Sequence, residues 1–257
     1  MSSLLNGNGH ISNGMKKSAS IDDLEHVLAE DIPSNTSSGE LVDVFENNRA
    51  WAENIKSRDP EFFTRTSQCQ APKYLYFGCS DSRVTAEDML GLGPGDVFVH
   101  RNVGALVPGN DLNALSVLEY AVAHLGVTDI ICCGHYGCGA VKASCCNQDL
   151  GLLEPWLRMI RDVYRLHKDY LDTIKDPEEF HQRLVELNTI EQCTNVWKSA
   201  VVQKQWEKPF KEGQTEKLPR IHACVFDLKT GLLKKLKFNS SADLGNLTKI
   251  YSLIAHE

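Results

Sequence analysis

Cys79, Asp81 and Arg83 fall together in YLYFGCSDSRV, residues 74–84, and His135 and Cys138 fall together in DIICCGHYGCG, residues 129–139. Two thiolates and an imidazole are soft-to-borderline donors that suit Zn²⁺. A His-x-x-Cys spacing on a turn lets both side chains reach one ion, and Gly134, Gly137 and Gly139 give that turn its backbone freedom. Cys79 arrives from a separate segment, as expected of a site built into a fold. Three protein ligands without a fourth are the pattern of a catalytic zinc, which keeps one position for water and lowers its pKa to about 7. A carboxylate beside that position can accept the hydrogen bond of the resulting hydroxide and aim its lone pair. It must stay ionised and must not itself bind the metal. Arg83, close behind Asp81, can hold it there through a bidentate pair.

Each of these groups sits where a candidate strand ends. Residues 73–78, DVFVHRN (96–102) and VTDIICCG (127–134) read as strands. Between them lie a short helix, TAEDML, closed by Gly91 and Gly93, and a longer one, LNALSVLEYAVAHLG, with apolar residues at 112, 115, 118, 122 and 125 and a stop at Gly126. GCGAVKASCC opens a further helix, and residues 152–206 read as helical with breaks near Pro177 and Asn188. PRIHACVFDL is a late strand, Lys229-Thr230-Gly231 a turn, LLKKLKF the return strand, and LGNLTKIYSLIAHE a closing helix. The alternation predicts an α/β fold: a central, mainly parallel β-sheet flanked by helices, with a late antiparallel strand. In such sheets ligands gather at the carboxyl ends of the strands.

Residues 1–38 are rich in Ser, Asn and Gly and read as a loosely packed tail, with IDDLEHVLAED a short helix inside it. LVDVFENNRAWAENI follows, with Leu41, Val44, Phe45, Trp51 and Ile55 at helical spacing. This N-terminal helical arm needs a surface to lie against, such as a partner chain. The division is a tail, 1–38, and one α/β domain, 39–257.

Of the 257 residues, 42% are hydrophobic and 24% charged, an ordinary globular balance. The net charge of −7 argues against general nucleic-acid binding, which shows a basic face. No apolar run approaches the length of a membrane span, and no extended apolar core marks a secretory signal. Nine cysteines, an odd number, without such a signal point to free thiols or metal ligands rather than disulfides, and to a cytoplasmic chain.

CSDSR followed by GHYGCG is the signature of the β-class carbonic anhydrases. The chain resembles that family over roughly residues 41–240, including PGDVFVHRNVG, LEYAV and VELNTIEQCTNV. The resemblance implies one zinc per subunit held by Cys79, His135 and Cys138, with Asp81 and Arg83 as the dyad that orients the nucleophile. It implies reversible hydration of CO₂ to bicarbonate and a proton, through attack of zinc-bound hydroxide on the carbon. Gln70, Phe98, Val103 and Tyr120 match pocket residues of the family, some reaching in from the partner subunit, and Gly139 would offer a backbone N–H to the substrate. A homodimer or higher homo-oligomer follows from the same likeness, its N-terminal helices wrapping the neighbour. Some bacterial members let the dyad aspartate bind zinc when bicarbonate fills a nearby pocket built from Trp, Val, Arg and Tyr. Here those positions hold Tyr76, Val84, Arg101 and Phe226, so two of four match and the open form is expected. Alternatives on the same scaffold are a CS₂ or COS hydrolase and a zinc-containing bicarbonate sensor without turnover.

Plainer accounts stand beside these. Any one cysteine alone is most simply a buried core residue. An Asp–Arg pair can be a turn-stabilising contact of little energetic weight. Cys132 and Cys133 point to opposite faces of their strand and read as packing, although a local grouping of Cys132, His135 and Cys138 would make Cys79 dispensable. Cys145 and Cys146 read as ordinary helix residues; His124, His167, His181, His222 and His256 have no motif around them, and His100, nearer the site by sequence, reads as having no direct role.

Overall fold

The computed structural model describes residues 42–239, 244 and 247–253. The tail 1–38 and the short helix expected within it lie outside the described residues. The chain divides into two units, one up to Phe62 and one from Phe63 onward. In the first, α1 (Val42–Arg58) is the expected arm helix; it begins with Asp43 and ends with Lys56 and Arg58, charges that complement its dipole. Val44, Phe45 and Trp51 are exposed on it. Helix α2 (Phe62–Gln68) follows.

The second unit is built on five strands: β1 (Tyr74–Cys79), β2 (Val97–Asn102), β3 (Asp129–His135), β4 (Arg220–Asp227) and β5 (Leu232–Lys235). Their order is β2-β1-β3-β4-β5, parallel except for the β4–β5 hairpin. The expected sheet, mainly parallel with a late antiparallel strand, is therefore present. Its helices are α3 (Ala86–Leu90), α4 (Leu112–Glu119), α5 (Gly139–Ser144), α6 (Leu153–Leu166), α7 (Lys168–Leu171), α8 (Pro177–Lys198), α9 (Ala200–Trp206) and α10 (Thr248–Tyr251). The segment predicted as one helix over 112–125 is α4 followed by a π-helical turn, Tyr120–Leu125, ended by Gly126 at φ 68°.

Strand β3 is buried along its whole length, which explains its unbroken apolar run. Leu75, Phe77, Ile130 and Cys132 pack with Ala114, Leu118 and Val202 on one side of the sheet. Tyr76, Ile131, Cys133 and Cys224 pack with Ala86 in a separate cluster, so Cys132 and Cys133 do take opposite faces. A third cluster joins Cys79 and Cys138 to Leu106, Val141, Leu157, Ile160, Leu184 and Val185. Each large side chain so buried stabilises the fold by about 1.5–3 kcal/mol.

One expectation changes. Asn188 does not break the helical region; it is buried in the middle of α8, where its amide has a partner outside the helix. The expected break near Pro177 is present over residues 172–176, and Pro177 starts the next helix, with the Asp176 carboxylate accepting the Glu179 N–H as a cap. The real stops are at His167, Asp172 and Ser199. Among the described residues the closing helix spans only Thr248–Tyr251.

Candidate metal centre

Strands β1 and β3 are neighbours with β2 beyond β1, so the connections leave to opposite sides of the β1–β3 crevice while the strands stay parallel. In a parallel sheet the carboxyl ends at that point leave room for a ligand. Cys79 is the last residue of β1 and His135 the last of β3; Cys138 caps the start of α5 three residues on. Sheet register thus delivers one thiol and the ring, and a tight turn with Gly137 at φ 70° folds the second thiol back onto them. Helix α8 covers β3 very closely here: a Cβ on Gly134 would lie 2.3 Å from the Thr189 hydroxyl oxygen.

The donor atoms of Cys79, His135 and Cys138 all lie within 4.8 Å of one another, and all three residues are buried. The two sulfurs are 4.0 Å apart. His135 Nδ1 is 3.1 Å from the Tyr136 carbonyl oxygen, which can only accept, so Nδ1 carries the hydrogen and Nε2 keeps its lone pair. That Nε2 is buried with no hydrogen-bond partner. A buried nitrogen lone pair left alone is costly unless a cation takes it. The sulfurs share a hydrogen bond: it pulls the Cys79 thiol well below its usual range, against burial, while the same contact pushes Cys138 up. An orphaned imidazole nitrogen and two converging sulfurs, one of them favoured as the anion, fit a tetrahedral zinc with an open position.

Asp81 and Arg83 form the bidentate pair that the sequence suggested. Arg83 Nε donates to Oδ1 at 2.9 Å, Nη2 to Oδ2 at 2.7 Å, and the Arg83 backbone N–H to Oδ1 at 3.0 Å. These bonds, the side-chain ones first, hold the Asp81 carboxyl far below the usual carboxylate range against the opposing effect of burial. Its Oδ2 lies 3.8 Å from His135 Nε2, so the ionised carboxylate stands beside the donor cluster while its oxygens face the guanidinium.

Arg101 is a supporting residue whose part was not legible in the sequence. From β2 it donates through Nε to the Cys79 carbonyl at 2.8 Å and through Nη2 to the Asp81 carbonyl at 2.6 Å. It thereby fixes the backbone that carries both groups. The register Gly78↔Arg101 places it there, and no motif shows that register in advance.

The family model described as carbonic anhydrase matches residues 74–233. A carbonic anhydrase of Emericella nidulans is 51% identical over 82% of this chain and 89% of its own.

This chain belongs to the carbonic anhydrase family.

Solved structures place it in the β class. A β-carbonic anhydrase of Coccomyxa, solved with acetazolamide, is 35% identical, covers 85% of this chain and 100% of its own, and has a TM-score of 0.75. One of two tetrameric β-carbonic anhydrases of Sordaria macrospora is 34% identical, covers 76% of this chain and 95% of its own, and has a TM-score of 0.69. Of the remaining residues that the carbonic anhydrase likeness singles out, Gly139 is the first residue of α5, directly after Cys138. Phe98 and Tyr120 pack ring against ring, with centroids 5.7 Å apart. Val103 and Tyr120 are exposed in the single chain, at 38% and 46%. Gln70 is exposed on the turn between α2 and β1.

Proposed function

We propose that Cys79, His135 and Cys138 hold one zinc ion per subunit, and that Asp81 and Arg83 orient the nucleophile for reversible hydration of CO₂ to bicarbonate and a proton. The observation that carries this reading is the convergence of two sulfurs and a partnerless, buried Nε2 beside an ionised carboxylate. Zinc, when bound by this donor set, supplies Lewis acidity and a water that deprotonates near pH 7. The chain's residues do the rest. Asp81 accepts a hydrogen bond from the attacking water and turns its lone pair toward the CO₂ carbon. Arg83 occupies both carboxylate oxygens, keeps the group ionised and keeps it off the metal position, which supports the open form of the site. The Gly139 backbone N–H, on the first turn of α5, is a donor for a substrate oxygen. Phe98, Val103 and Tyr120 offer apolar walls suited to a small nonpolar molecule, and Gln70 a polar contact for one oxygen.

The exposure of Val103 and Tyr120 in one chain, the exposed apolar residues of α1 and the tetrameric state of the Sordaria relatives support a homodimer or larger assembly. No helix among the described residues is long and apolar enough to cross a membrane. The decisive test is stopped-flow CO₂ hydration with zinc content measured on the same samples. Cys79→Ser should lose zinc and activity together; Asp81→Ala should keep zinc and lose most of its rate. Full activity in both variants sinks the reading, and turnover of CS₂ or COS in preference to CO₂ would move the substrate.

A further inference from the structure

His135 opens a loop that lies along helix α8. A Cβ on Gly134 would meet the Thr189 hydroxyl and the Val185 side chain, so the start of the loop rests directly on that helix. Tyr136, the next residue after His135, is tied down at three points. Its backbone N–H donates to the Phe226 carbonyl of β4 at 3.0 Å. Its hydroxyl donates to Glu186 Oε1 of α8 at 2.5 Å, a charge-assisted bond. The ammonium of Lys234, on β5, stands 4.8 Å from its ring centroid. Glu186 is itself held by Arg183, whose Nη1 donates to Oε2 at 2.6 Å, so each carboxylate oxygen has a partner.

These ties reach His135 through geometry. At a tetrahedral Cα, fixing the N–H side and the side chain also fixes the bond to the carbonyl carbon. One rotation is left, about that bond. It is restrained from the far end of the loop, where His181 Nε2 of α8 donates to the Cys138 carbonyl at 3.2 Å. The Tyr136 carbonyl oxygen is thereby held where it accepts the His135 Nδ1 hydrogen at 3.1 Å. That bond decides which ring nitrogen carries the hydrogen and where Nε2 points.

We propose that Glu186, acting through Tyr136, is a positioning residue for His135: its carboxylate anchors the tyrosine whose carbonyl orients the imidazole toward the metal. This rests on the reading of His135 as a zinc ligand. Glu186 acts without touching the metal donors, since its oxygens are taken by Tyr136 and Arg183. The loop keeps its other holds on α8, at Gly134 and Cys138, when the Glu186 bond is removed.

Full-length holoprotein and its cobalt-substituted form test the proposal. Tyr136→Phe keeps the ring and removes the donor. Glu186→Met keeps the length and removes the acceptor, whereas Glu186→Gln keeps an acceptor oxygen. Glu191→Met is the control, because Glu191 lies on the same helix and pairs with Lys198 at 3.2 Å. Tyr136→Phe and Glu186→Met should bind zinc about 10-fold more weakly in competition with a chromophoric chelator, the lower end for outer-shell partners of a metal ligand. Glu186→Gln should recover most of that loss, and Glu191→Met should match wild type. In the cobalt forms of the two weakened variants the ligand-field bands should shift as the imidazole turns. The sulfur-to-cobalt charge-transfer band should stay in place, because the thiolates are untouched. Wild-type affinity and wild-type ligand-field bands in Tyr136→Phe overturn the proposal. So does an equal change in the control, a Glu186→Gln as weak as Glu186→Met, or a parallel shift of both kinds of band, which marks a disturbed site as a whole. If Glu186→Met does not fold, Tyr136→Phe decides alone. A wild-type protein that takes up cobalt with no thiolate band defeats the metal-centre assignment itself, a result separable from failure of the anchor.

Discussion

Arg83 is more than half exposed, yet it sets the electrical state of Asp81 through two side-chain bonds and one from its backbone. The expected outcome of Arg83→Met follows. Without the guanidinium the Asp81 carboxyl rises toward the ordinary value of about 3.9, and burial pushes it further the same way. A carboxyl whose pKa rises becomes protonated at higher pH, so a second acid limb, below the one set near pH 7 by the metal-bound water, should move upward relative to wild type, with a fall of ten-fold or more at the plateau. Profiles recorded from mildly alkaline to mildly acid pH at saturating zinc would show this. An unmoved acid limb would mean that Arg83 does not control the carboxylate. At this scale the sequence was informative because Cys79, Asp81 and Arg83 are adjacent in the chain, so one strand end had to present them together. Arg101 was noticed only as a match to a bicarbonate-pocket position; its bracing bonds, and the amide contact of Asn188, were not legible. Their partners lie 22 and 84 residues away, and only sheet register and helix packing bring them close.

Helix α8 shows why element-level reading missed part of the support. Asn188, Thr189, Gln192 and Thr194 are buried polar residues within it, so an apolar stripe is blurred and Asn188 reads as a stop. The other end of β3 holds a second polar device. Asp129, 4% exposed, accepts from Arg220 Nε at 2.7 Å and Nη2 at 2.9 Å, and lies 2.8 Å from His222 Nε2. Burial alone would raise its carboxyl; the bonds from Arg220, His222 and Thr128 outweigh that and depress it strongly. A depressed carboxyl stabilises the fold above the unfolded value near 4, and this contribution is lost as pH falls through the lower folded value. Asp129→Asn should therefore cost about 1–3 kcal/mol at neutral pH, reduced from the cost of a fully buried pair because Arg220 is partly solvated. Urea unfolding of both proteins at pH 7 and below pH 4 should show the gap narrowing in acid. An equal gap at both would assign the loss to packing instead of charge.

For the molecule as a whole, the α/β alternation and the antiparallel return were readable because the apolar strand runs are bounded by turn residues, as at Lys229-Thr230-Gly231, whereas the strand order was not. The π-helical end of α4 was not, since Tyr120–Leu125 keeps a helical apolar spacing whichever hydrogen-bond pattern it adopts. Two outcomes belong to this scale. Stripping zinc with a chelator should leave two close thiols and an orphaned ring nitrogen; at a free-zinc level a thousand times the dissociation constant, about 4 kcal/mol of stabilisation is lost, and Tm should drop on the order of 10 °C. Light scattering coupled to size exclusion should return at least twice the 28.7 kDa of one chain. A monomer at micromolar concentration would leave Val103 and Tyr120 as open surface and remove the neighbour from the pocket.

The contact between Gly134 and Thr189 has an evolutionary consequence. With 2.3 Å between an added methyl and the hydroxyl oxygen, and 3.2 Å to Val185, mutational history at this spot must run in one order. A lineage that trims position 189 to alanine can later tolerate alanine at 134; the reverse sequence of events passes through an ancestor whose strand and helix are wedged apart beside His135. Two sites 55 residues distant in the gene are thus expected to drift as a pair.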